Sequence, residues 1–527
     1  MQRLLMLLLA GLFLAGAAQA LTPEQARAIA AGDTDARIAA LNEAAGRGAP
    51  GLAAFVQALL DDGVKLTPQQ VLVFDGEKTV DAATGQPVAT LPEDAEDAVN
   101  NNRMRGALQA ALAALRLASP DLAARREAVA ALAKQSLDES QLSLLDRALA
   151  AESDAGLKAR LMLMRASLLV ASPDPAKRLA AARQLASSGE PTVKSLLLER
   201  LAHESDAEVK SALSQALSQV ERRLAWGERG GLLFTGISLG SILLLVALGL
   251  AITYGLMGVI NMAHGELMMI GAYATYLVQN AFKAWLPAGL FDYYVLLAIP
   301  ASFLVAAAVG AVLERGVIRW LYGRPLETLL ATWGISLVLM QAVRSLFGAQ
   351  NVPVENPAWL SGGVAVMSNL ILPYNRIAII VFAFAVLAGV ALLIARTRLG
   401  LFVRGVTQNR RMAACMGVNT ARIDTYAFAL GAGIAGLAGC ALSQVGNVGP
   451  DLGQGYIVDS FMVVVLGGVG QLAGTVIAAL GLGVLNKLLE DWAGAVLAKI
   501  MVLVFIVVFI QKRPQGLFAM KGRSAEA

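Results

Sequence analysis

The chain has 527 residues, of which 57% are hydrophobic and 16% are charged, with a net charge of +4. A soluble globular protein carries about 25% charged residues, so this composition indicates a membrane protein. The charges are unevenly divided, because 53 of the 82 charged residues lie in 1–229 and only 29 in 230–527. We therefore expect a soluble domain in 1–229 and a membrane domain in 230–527. The basic excess lies in the membrane half, where it is typical of cytoplasmic loops rather than of nucleic-acid binding.

The residues that most enzymes and metal proteins need are scarce. The cysteines are Cys415 and Cys440, and the histidines are His203 and His264, which cannot supply a zinc or haem ligand set. No Ser/His/Asp constellation or paired-carboxylate cleft stands out in 21–229, and no GxxxxGK[ST] phosphate-binding loop occurs in the chain. The sequence thus predicts a protein that is not an enzyme and holds no cofactor or metal. Any ATP-driven work has to come from a partner.

The first 20 residues have the features of an export signal. Arg3 precedes an apolar run from Leu4 to Leu14, and Ala18-Gln19-Ala20 follows as a cleavage site. The alternative is a first transmembrane helix that stays attached. In both cases residues 21–229 are expected on the periplasmic side of the membrane.

Residues 21–229 contain an internal repeat. Ser119-Pro120-Asp121 recurs as Ser172-Pro173-Asp174, 53 residues later, and Glu152-Ser153-Asp154 recurs as Glu204-Ser205-Asp206, 52 residues later. Each motif can cap a helix N-terminus, so we expect a helix about every 25 residues in a HEAT-like array that serves protein docking. A small β-hairpin insert is predicted around Gly76 and Gly85, between the runs Val71–Phe74 and Gln86–Thr90.

Residues 230–527 read as membrane-spanning helices. The run Gly230–Gly265 has 36 residues without a charged side chain, long enough to cross a hydrocarbon layer of ~30 Å and begin to return. The fold class expected is all-α: a polytopic bundle of about eight or nine crossings, one of them broken, preceded by the exported helical domain. The spans are expected near 233–254, 256–278, 294–314, 326–346, 376–395, 424–444, 457–489 and 493–511.

The basic residues orient these spans. The arginines between 315 and 324 and between 396 and 422 fall in loops that alternation places inside the cell, as the positive-inside rule requires. The basic C-terminus needs one more crossing, and the segment 457–489 is too long for one span. We expect two short half-helices that meet at Gly467, Gly468 and Gly470, where broken backbone can line a polar path. A single kinked span is the alternative.

Few ionisable residues can lie within the membrane. Asn261, His264 and Glu266 stand at the expected turn between the first two spans, and Asp459 opens the broken segment. They are candidate pathway residues, because ionisable groups inside membranes mark substrate or ion paths. The alternative is that Asn261, His264 and Glu266 only tie a tight turn together.

The segment 404–424 is short, polar and mildly amphipathic. Ala413 and Gly417 stand four residues apart, flanked by Arg404, Arg410 and Arg411. A helix with small residues can lie in a groove of a partner protein while its arginines pair with acidic residues at the rim. The pattern is common, so by itself it only permits a partner.

Four stretches resemble one protein family in order. The residues 247–273 (ALGLAITYGLMGVINMAHGELMMIGAY), 404–439, 463–485 (VVVLGGVGQLAGTVIAALGLGVL) and 512–518 (KRPQGLF) are similar to the permease subunits of branched-chain amino-acid and urea ABC importers. The resemblance covers essentially all of 230–527. It implies an inner-membrane transport subunit that works with a second homologous permease, two cytoplasmic ATP-binding subunits and a periplasmic substrate-binding protein, with no nucleic acid.

The resemblance also assigns a role to the segment around Arg410–Gly417. That segment resembles the loop that docks on the ATPase in this family, and the spacing of Ala413 and Gly417 matches. Met412 stands where the family has a glutamate, which leaves the roles of individual residues there open.

The long exported extension decides the expected cargo. Amino-acid permeases of this class begin close to their first span, whereas a long extension behind an export signal is similar to the urea-uptake branch. We therefore expect a urea permease, with a branched-chain amino-acid or other small-amide permease as the alternative. A passive channel or an ion-coupled carrier is the alternative from another class.

Overall fold

The computed structural model describes residues 21–47, 51–68, 70–75, 78–88, 95–117, 119–133 and 142–518. The chain divides into two compact units, Met1–Leu224 and Ala225–Ala527. The expected signal in 1–20 lies outside the described residues, so it stays a prediction.

The first unit begins with helices around a small sheet. The helices are α1 (Pro23–Ala30), α2 (Thr34–Arg47), α3 (Leu52–Leu60) and α4 (Asn102–Arg116), and the strands are β1 (Val64–Leu66), β2 (Val71–Asp75), β3 (Lys78–Asp81) and β4 (Glu96–Asp97). The sheet is antiparallel with the order β3-β2-β1-β4. Arg37 is buried and donates to the carbonyls of Ile29 (2.9 Å) and Val99 (2.9 Å), which ties the first two helices to the end of the sheet region.

The expected β-hairpin is present in part. Val71–Phe74 lies in β2 as predicted, but its partners are β1 and β3. In the predicted second strand, Pro87 forms a single bridge with Val80, and residues 89–90 lie outside the described residues. Strand β3 begins at Lys78, well before Gly85, so β3 and not the predicted second strand is the main partner of β2 on that side.

The rest of the first unit is helical. Its helices are α5 (Leu122–Leu132), α6 (Leu142–Ala151), α7 (Ala155–Leu169), α8 (Pro175–Leu185), α9 (Pro191–His203) and the beginning of α10 (Ala207–Met257). Asp121, Asp154 and Asp174 accept backbone N–H groups at the starts of α5, α7 and α8, as the repeated motifs predicted.

The two copies of the repeat share one set of contacts. In the first copy Arg125 donates to both carboxylate oxygens of Glu152 (2.9 and 3.2 Å) and to the carbonyls of Ser119 and Pro120 (both 3.0 Å). Glu152 in turn accepts the backbone amides of Ser153 (2.9 Å) and Asp154 (2.8 Å). We call this set of contacts the Arg–Glu clasp.

The second copy repeats the clasp. Arg178 donates to Glu204 (2.8 and 2.9 Å) and to the carbonyls of Ser172 (3.0 Å) and Pro173 (2.9 Å). Each copy contains three helices, α5–α7 and α8–α10, where the spacing of the caps suggested two. The motifs mark only the first and third helices, since the middle helices α6 and α9 do not begin at either motif.

The second unit is a helical bundle. After α10 come α11 (His264–Trp285), α12 (Tyr294–Gly316), α13 (Pro325–Phe347), α14 (Tyr374–Arg396), α15 (Arg398–Gln408), α16 (Arg410–Cys415), α17 (Thr420–Ser443), α18 (Leu452–Gly467), α19 (Leu472–Ala493) and α20 (Ala495–Lys512). A two-stranded hairpin that the sequence did not predict, β5 (Gly363–Met367) with β6 (Leu370–Pro373), lies between α13 and α14.

Glycines let the central helices of this unit approach closely. A Cβ at Gly271 of α11 would overlap the backbone of Gly436 in α17, and one at Gly439 would overlap the carbonyl oxygen of Met268. A Cβ at Gly310 of α12 would meet the side chain of Ala432. The small-residue run of α17 therefore packs against α11 and α12, the use that such runs have in membranes.

Within residues 142–518, seven helices are long and apolar enough to cross a membrane: α10, α12, α13, α14, α17, α19 and α20. Helix α18, with 16 residues, is apolar but shorter, and α11 has 22 residues with a polar first turn. The bundle is thus polytopic and helical, as predicted.

The second expected span begins later than predicted. The sequence placed it at 256–278, but its helix begins only at His264, because α10 ends near Gly258 (φ +67°) and residues 258–263 are not helical. Val259, Asn261 and Ala263 in this connection are buried, so the connection is as free of charge as a span.

The segment 457–489 is broken where expected. Helix α18 ends at Gly467 and α19 begins at Leu472, with Gly468 (φ +97°) and Gly470 (φ +78°) in the turn. The second part is not a half-helix, however, because α19 continues through 22 residues. The amide of Leu517 donates to the carbonyl of Leu466 (2.8 Å), so the motif at 512–518 packs on this turn.

Candidate functional site

The segment expected to dock on a partner folds as two short helices. Thr397 caps α15 and accepts the Gly400 amide (3.3 Å), and Asn409 caps α16 and accepts the Met412 amide (3.0 Å). Gly417 (φ +84°) ends α16, since a residue with a Cβ rarely adopts this conformation. The sequence therefore forms a compact element, α15–α16, between α14 and α17.

One face of this element is anchored and the other is exposed. Ala413 is buried, whereas Met412 and Met416 are 59% and 78% exposed. Arg404 donates to the carbonyls of Ile394 (3.1 Å) and Gly400 (3.3 Å), and Arg411 is exposed. Of the predicted docking residues, Arg411 is exposed and Ala413 is buried. The exposed Met412 and Met416 were not among the predicted residues.

A buried polar network holds the element to the bundle. Arg410 forms an ion pair with Asp424, which is 3% exposed, and its guanidinium lies 5.2 Å from the centre of the Tyr322 ring. The Tyr322 hydroxyl donates to the buried carboxylate of Glu314 (2.9 Å), which also accepts from Thr425 (2.6 Å). We call these residues the anchor network.

Arg319 completes the anchor network, with a guanidinium nitrogen 3.6 Å from a Glu314 oxygen. A buried carboxylate needs such partners, because an unpaired charge in the protein interior destabilises the fold by on the order of several kcal/mol. The network joins α16 to the end of α12 and the start of α17.

The predicted turn residues lie at the start of α11. The His264 ring is fully buried and its Nε2 lies 3.1 Å from the carbonyl oxygen of Val246 in α10. Asn261 accepts the Ala263 amide (3.1 Å) through its side chain. Val246 lies 11 residues before Met257, the last residue of α10, which corresponds to about 16 Å along the helix at ~1.5 Å per residue. The connection 258–263 therefore runs back beside α10 by roughly this distance before α11 begins.

Glu266 faces α13. Its carboxylate accepts from the Ser336 hydroxyl (3.0 Å), and the Met262 amide donates to Thr332 (3.1 Å), one turn earlier in α13. Farther along, Tyr273 of α11 packs on Phe347 of α13 with ring centres 4.7 Å apart. We call this interface, formed by Asn261, Glu266 and Tyr273 with Thr332, Ser336 and Phe347, the polar seam.

The remaining candidates are placed elsewhere. Asp459 lies within α18, 3.9 Å from Lys499 of α20, so it pairs with a basic residue and does not join the polar seam. Gly467, Gly468 and Gly470 form the turn between α18 and α19, where a Cβ at Gly255 of α10 would lie 2.6 Å from the Gly470 Cα. The glycines therefore allow close packing of the turn.

Residues 232–510 match the family model described as the branched-chain amino acid transport system / permease component. The match covers just over half of the chain. The chain belongs to this family. It is accordingly a multi-pass membrane protein and a transport subunit rather than an enzyme.

Curated relatives of this permease share the membrane half. BraD, a high-affinity branched-chain amino acid transport system permease protein of Pseudomonas aeruginosa, is 30% identical over 289 residues, 54% of this chain and 94% of BraD. LivH of Escherichia coli K12, with the same description, is 29% identical over 292 residues, again 54% and 94%. The ribose import permease protein RbsC of Escherichia coli K12 is 34% identical over 98 residues, 17% of this chain and 30% of RbsC. No solved structure matches the chain.

Sequence reasoning about this permease missed the anchor network and one side of the polar seam. Glu314 and Asp424 stand at the ends of predicted spans beside arginine clusters. From sequence alone, acidic residues in such positions are interpreted as solvent-exposed loop residues. The hydroxyls Thr328, Thr332 and Ser336 recur every four residues in an apolar span and were a usable signal, because that spacing places them on one helix face.

Proposed function

We propose that this chain is the permease subunit of a binding-protein-dependent ABC importer for urea in the inner membrane. A periplasmic binding protein delivers urea, and ATP hydrolysis on two cytoplasmic subunits drives the change of access. A second, homologous permease completes the membrane pore.

The observation that best supports an ATP-driven importer is the structure of the α15–α16 element. It presents exposed methionines and Arg411 on one side and is fixed by the anchor network on the other. An element with that design can receive force from a partner and transmit it to α12 and α17. A passive channel has no need of such a mechanical link.

The urea assignment rests on the extension. The alignment with BraD covers 94% of that protein and 54% of this chain, so most of the first unit has no counterpart in BraD. A long extension is similar to the urea-uptake branch of the family. We propose that 1–20 export the chain's N-terminal part and that 21–229 form a periplasmic, HEAT-like docking domain for the binding protein.

The experiment is uptake of labelled urea and labelled leucine at micromolar concentration, in cells with and without the gene, with ATP depletion as the control. Urea uptake that needs both the gene and ATP, and that excess leucine does not inhibit, is the expected result. Uptake that is independent of ATP would contradict the importer mechanism.

The second candidate is a branched-chain amino-acid permease, since BraD and LivH are high-affinity branched-chain amino acid transport system permease proteins. Gene-dependent leucine uptake without urea uptake would establish it and would refute the urea assignment. Deletion of 21–229 with export and insertion retained tests the docking role: unchanged uptake and unchanged affinity for the binding protein would refute that role.

A further inference from the structure

The three buried acids in the described part of the second unit have different surroundings. Glu314 and Asp424 each lie within ion-pair distance of an arginine, as the anchor network requires. Glu266 is 1% exposed, and no arginine or lysine lies within ion-pair distance of it in residues 142–518. A buried acid without a basic partner is costly, and in membranes such groups are retained at substrate paths.

Several polar side-chain atoms in α11 and the connection before it have no hydrogen-bond partner among the described residues. They are Asn261 Nδ2, His264 Nδ1, Glu266 Oε2 and the Tyr273 hydroxyl, and each of these side chains is at most 2% exposed. The other oxygen of Glu266 is held by Ser336, which fixes the carboxylate between α11 and α13. Buried polar groups are nearly always paired, so four unpaired ones along this segment indicate groups kept for a ligand.

Helix α13 supports this interpretation. Its buried residues are Thr328, Thr332, Ser336 and Val343, so three hydroxyl residues four apart form most of its inner face. Its outer face carries Leu330, Trp333 and Val338, which are all exposed. A helix that is apolar outside and polar inside is typical of one that lines a path for a polar solute.

The two sides of α11 also pack differently. Towards α17 its glycines bring the backbones together, whereas towards α13 side chains make the contacts, with the Ser336 hydroxyl donating to Glu266 and the Tyr273 ring packing on Phe347. Polar side chains therefore form the contact between α11 and α13, and side chains can rearrange around a solute more readily than a glycine-packed backbone.

We propose that the polar seam is the solute-binding part of the transport path in this subunit and that it selects a small neutral amide. Glu266 Oε2 accepts an N–H of the solute, Asn261 Nδ2 donates to its carbonyl oxygen, and the Tyr273 hydroxyl bonds it farther along the seam. A zwitterionic amino acid fits less well, because its carboxylate has no arginine or lysine to meet there. This inference rests on the proposed urea importer.

The test measures KM and maximal rate of urea uptake by the complete transporter in cells, with each variant's level in the membrane as a control for folding. Glu266→Gln removes the charged acceptor and is expected to raise KM about tenfold or more, and Tyr273→Phe about threefold, with the maximal rate little changed. Two matched controls are expected to leave KM unchanged. Tyr276→Phe alters a less buried neighbour in the same aromatic cluster, and Ser241→Ala removes a buried hydroxyl that bonds only its own helix.

Each outcome decides the question. Wild-type KM in both Glu266→Gln and Tyr273→Phe would refute solute binding by the polar seam, but it would not contradict the proposal of a urea importer. Absence of ATP-dependent urea uptake in the unmodified transporter would instead refute the proposed function itself. If Glu266→Gln fails to accumulate, the isosteric Tyr273→Phe variant still decides, since it removes a single oxygen that has no partner among the described residues.

Discussion

In the first unit, Arg125 and Arg178 each hold two helix starts together through charged hydrogen bonds to a nearly buried glutamate. In the second unit, α11, α12 and α17 are held by glycines that let backbones touch. Among its residues up to 518, the two ion pairs with a buried acid, Arg319–Glu314 and Arg410–Asp424, both belong to the anchor network. The same task, fixing one helix against another, is thus performed by different residues in the two units.

The difference follows from the surroundings of each unit. A helical array in water gains stability by burying apolar area, and its few buried charges must be fully paired. In lipid the hydrophobic effect does not drive helices together, so close contact between small residues supplies much of the attraction. A mutation at a glycine of the bundle should therefore cost more than one at an arginine of the array.

The largest effect is expected from Gly439→Ala in α17. The added Cβ overlaps the Met268 carbonyl oxygen, so α11 and α17 must separate, at a cost of about 3 kcal/mol or more. The measurement is the fraction of the purified full chain that stays monodisperse in detergent after heating. Gly481→Ala in α19 is the matched control, because nothing lies within 4 Å of its Cβ position. Equal behaviour of the two variants would contradict the close packing.

Arg125→Ala is expected to lower the midpoint of thermal unfolding of the first unit by about 5 °C, because it leaves Glu152 without its charged partner. Arg126→Ala is the control, since its guanidinium lies 4.0 Å from Asp154 and is largely exposed. Arg178→Ala should match Arg125→Ala within measurement error. Unequal shifts would show that the two clasps do not carry equal weight.

Asp424→Asn should loosen α15–α16 by removing the charge that pairs with Arg410, at a cost of about 1–2 kcal/mol. Trypsin should then cleave after Arg404, Arg410 or Arg411 several times faster in the purified protein. Arg398→Ala, which alters an exposed residue of the same element, is the control and should not accelerate cleavage. An unchanged cleavage rate in Asp424→Asn would mean that the anchor network does not hold the element.

The smallest effect is a pH dependence of the first unit. The hydrogen bonds from Arg125 and Arg178 lower the pKa of Glu152 and Glu204 below the usual 4.5. The folded state then binds fewer protons than the unfolded state, so this stabilisation is fully present above about pH 4.5 and is lost as pH falls through the folded pKa. Thermal unfolding midpoints between pH 7 and 3 measure it. In the double variant Arg125→Ala/Arg178→Ala the fall below pH 4.5 should be smaller.

The sequence predicted what depends on composition and local spacing. The division of charges indicated a soluble and a membrane part, the capping motifs marked the starts of α5, α7 and α8, and the glycines of 467–470 marked the break after α18. The capping motifs and the glycines each lie within a few neighbouring residues, and the division of charges is a matter of composition.

The remaining features depend on contacts between distant residues. Glu314 meets Thr425 across 111 positions, and Ser336 meets Glu266 across 70, so neither pair has a local pattern. The connection 258–263 was assigned to a span because a buried loop is as apolar as a helix. Among the candidate site residues, Glu266 could be picked out because ionisable residues are rare in the apolar segments. Its partners on α13 could be identified only from the three-dimensional structure.

The spacing within the two clasps differs by one residue, since Arg125 and Glu152 are 27 apart and Arg178 and Glu204 are 26 apart. The contacts are nevertheless the same in both copies, although the middle helix α6 has 10 residues and its counterpart α9 has 13. Each copy of the repeat carries both the arginine and the glutamate of its own clasp. Duplication or deletion of a whole copy therefore leaves no buried charge without its partner. The helical array can change its length in evolution by gaining or losing whole copies.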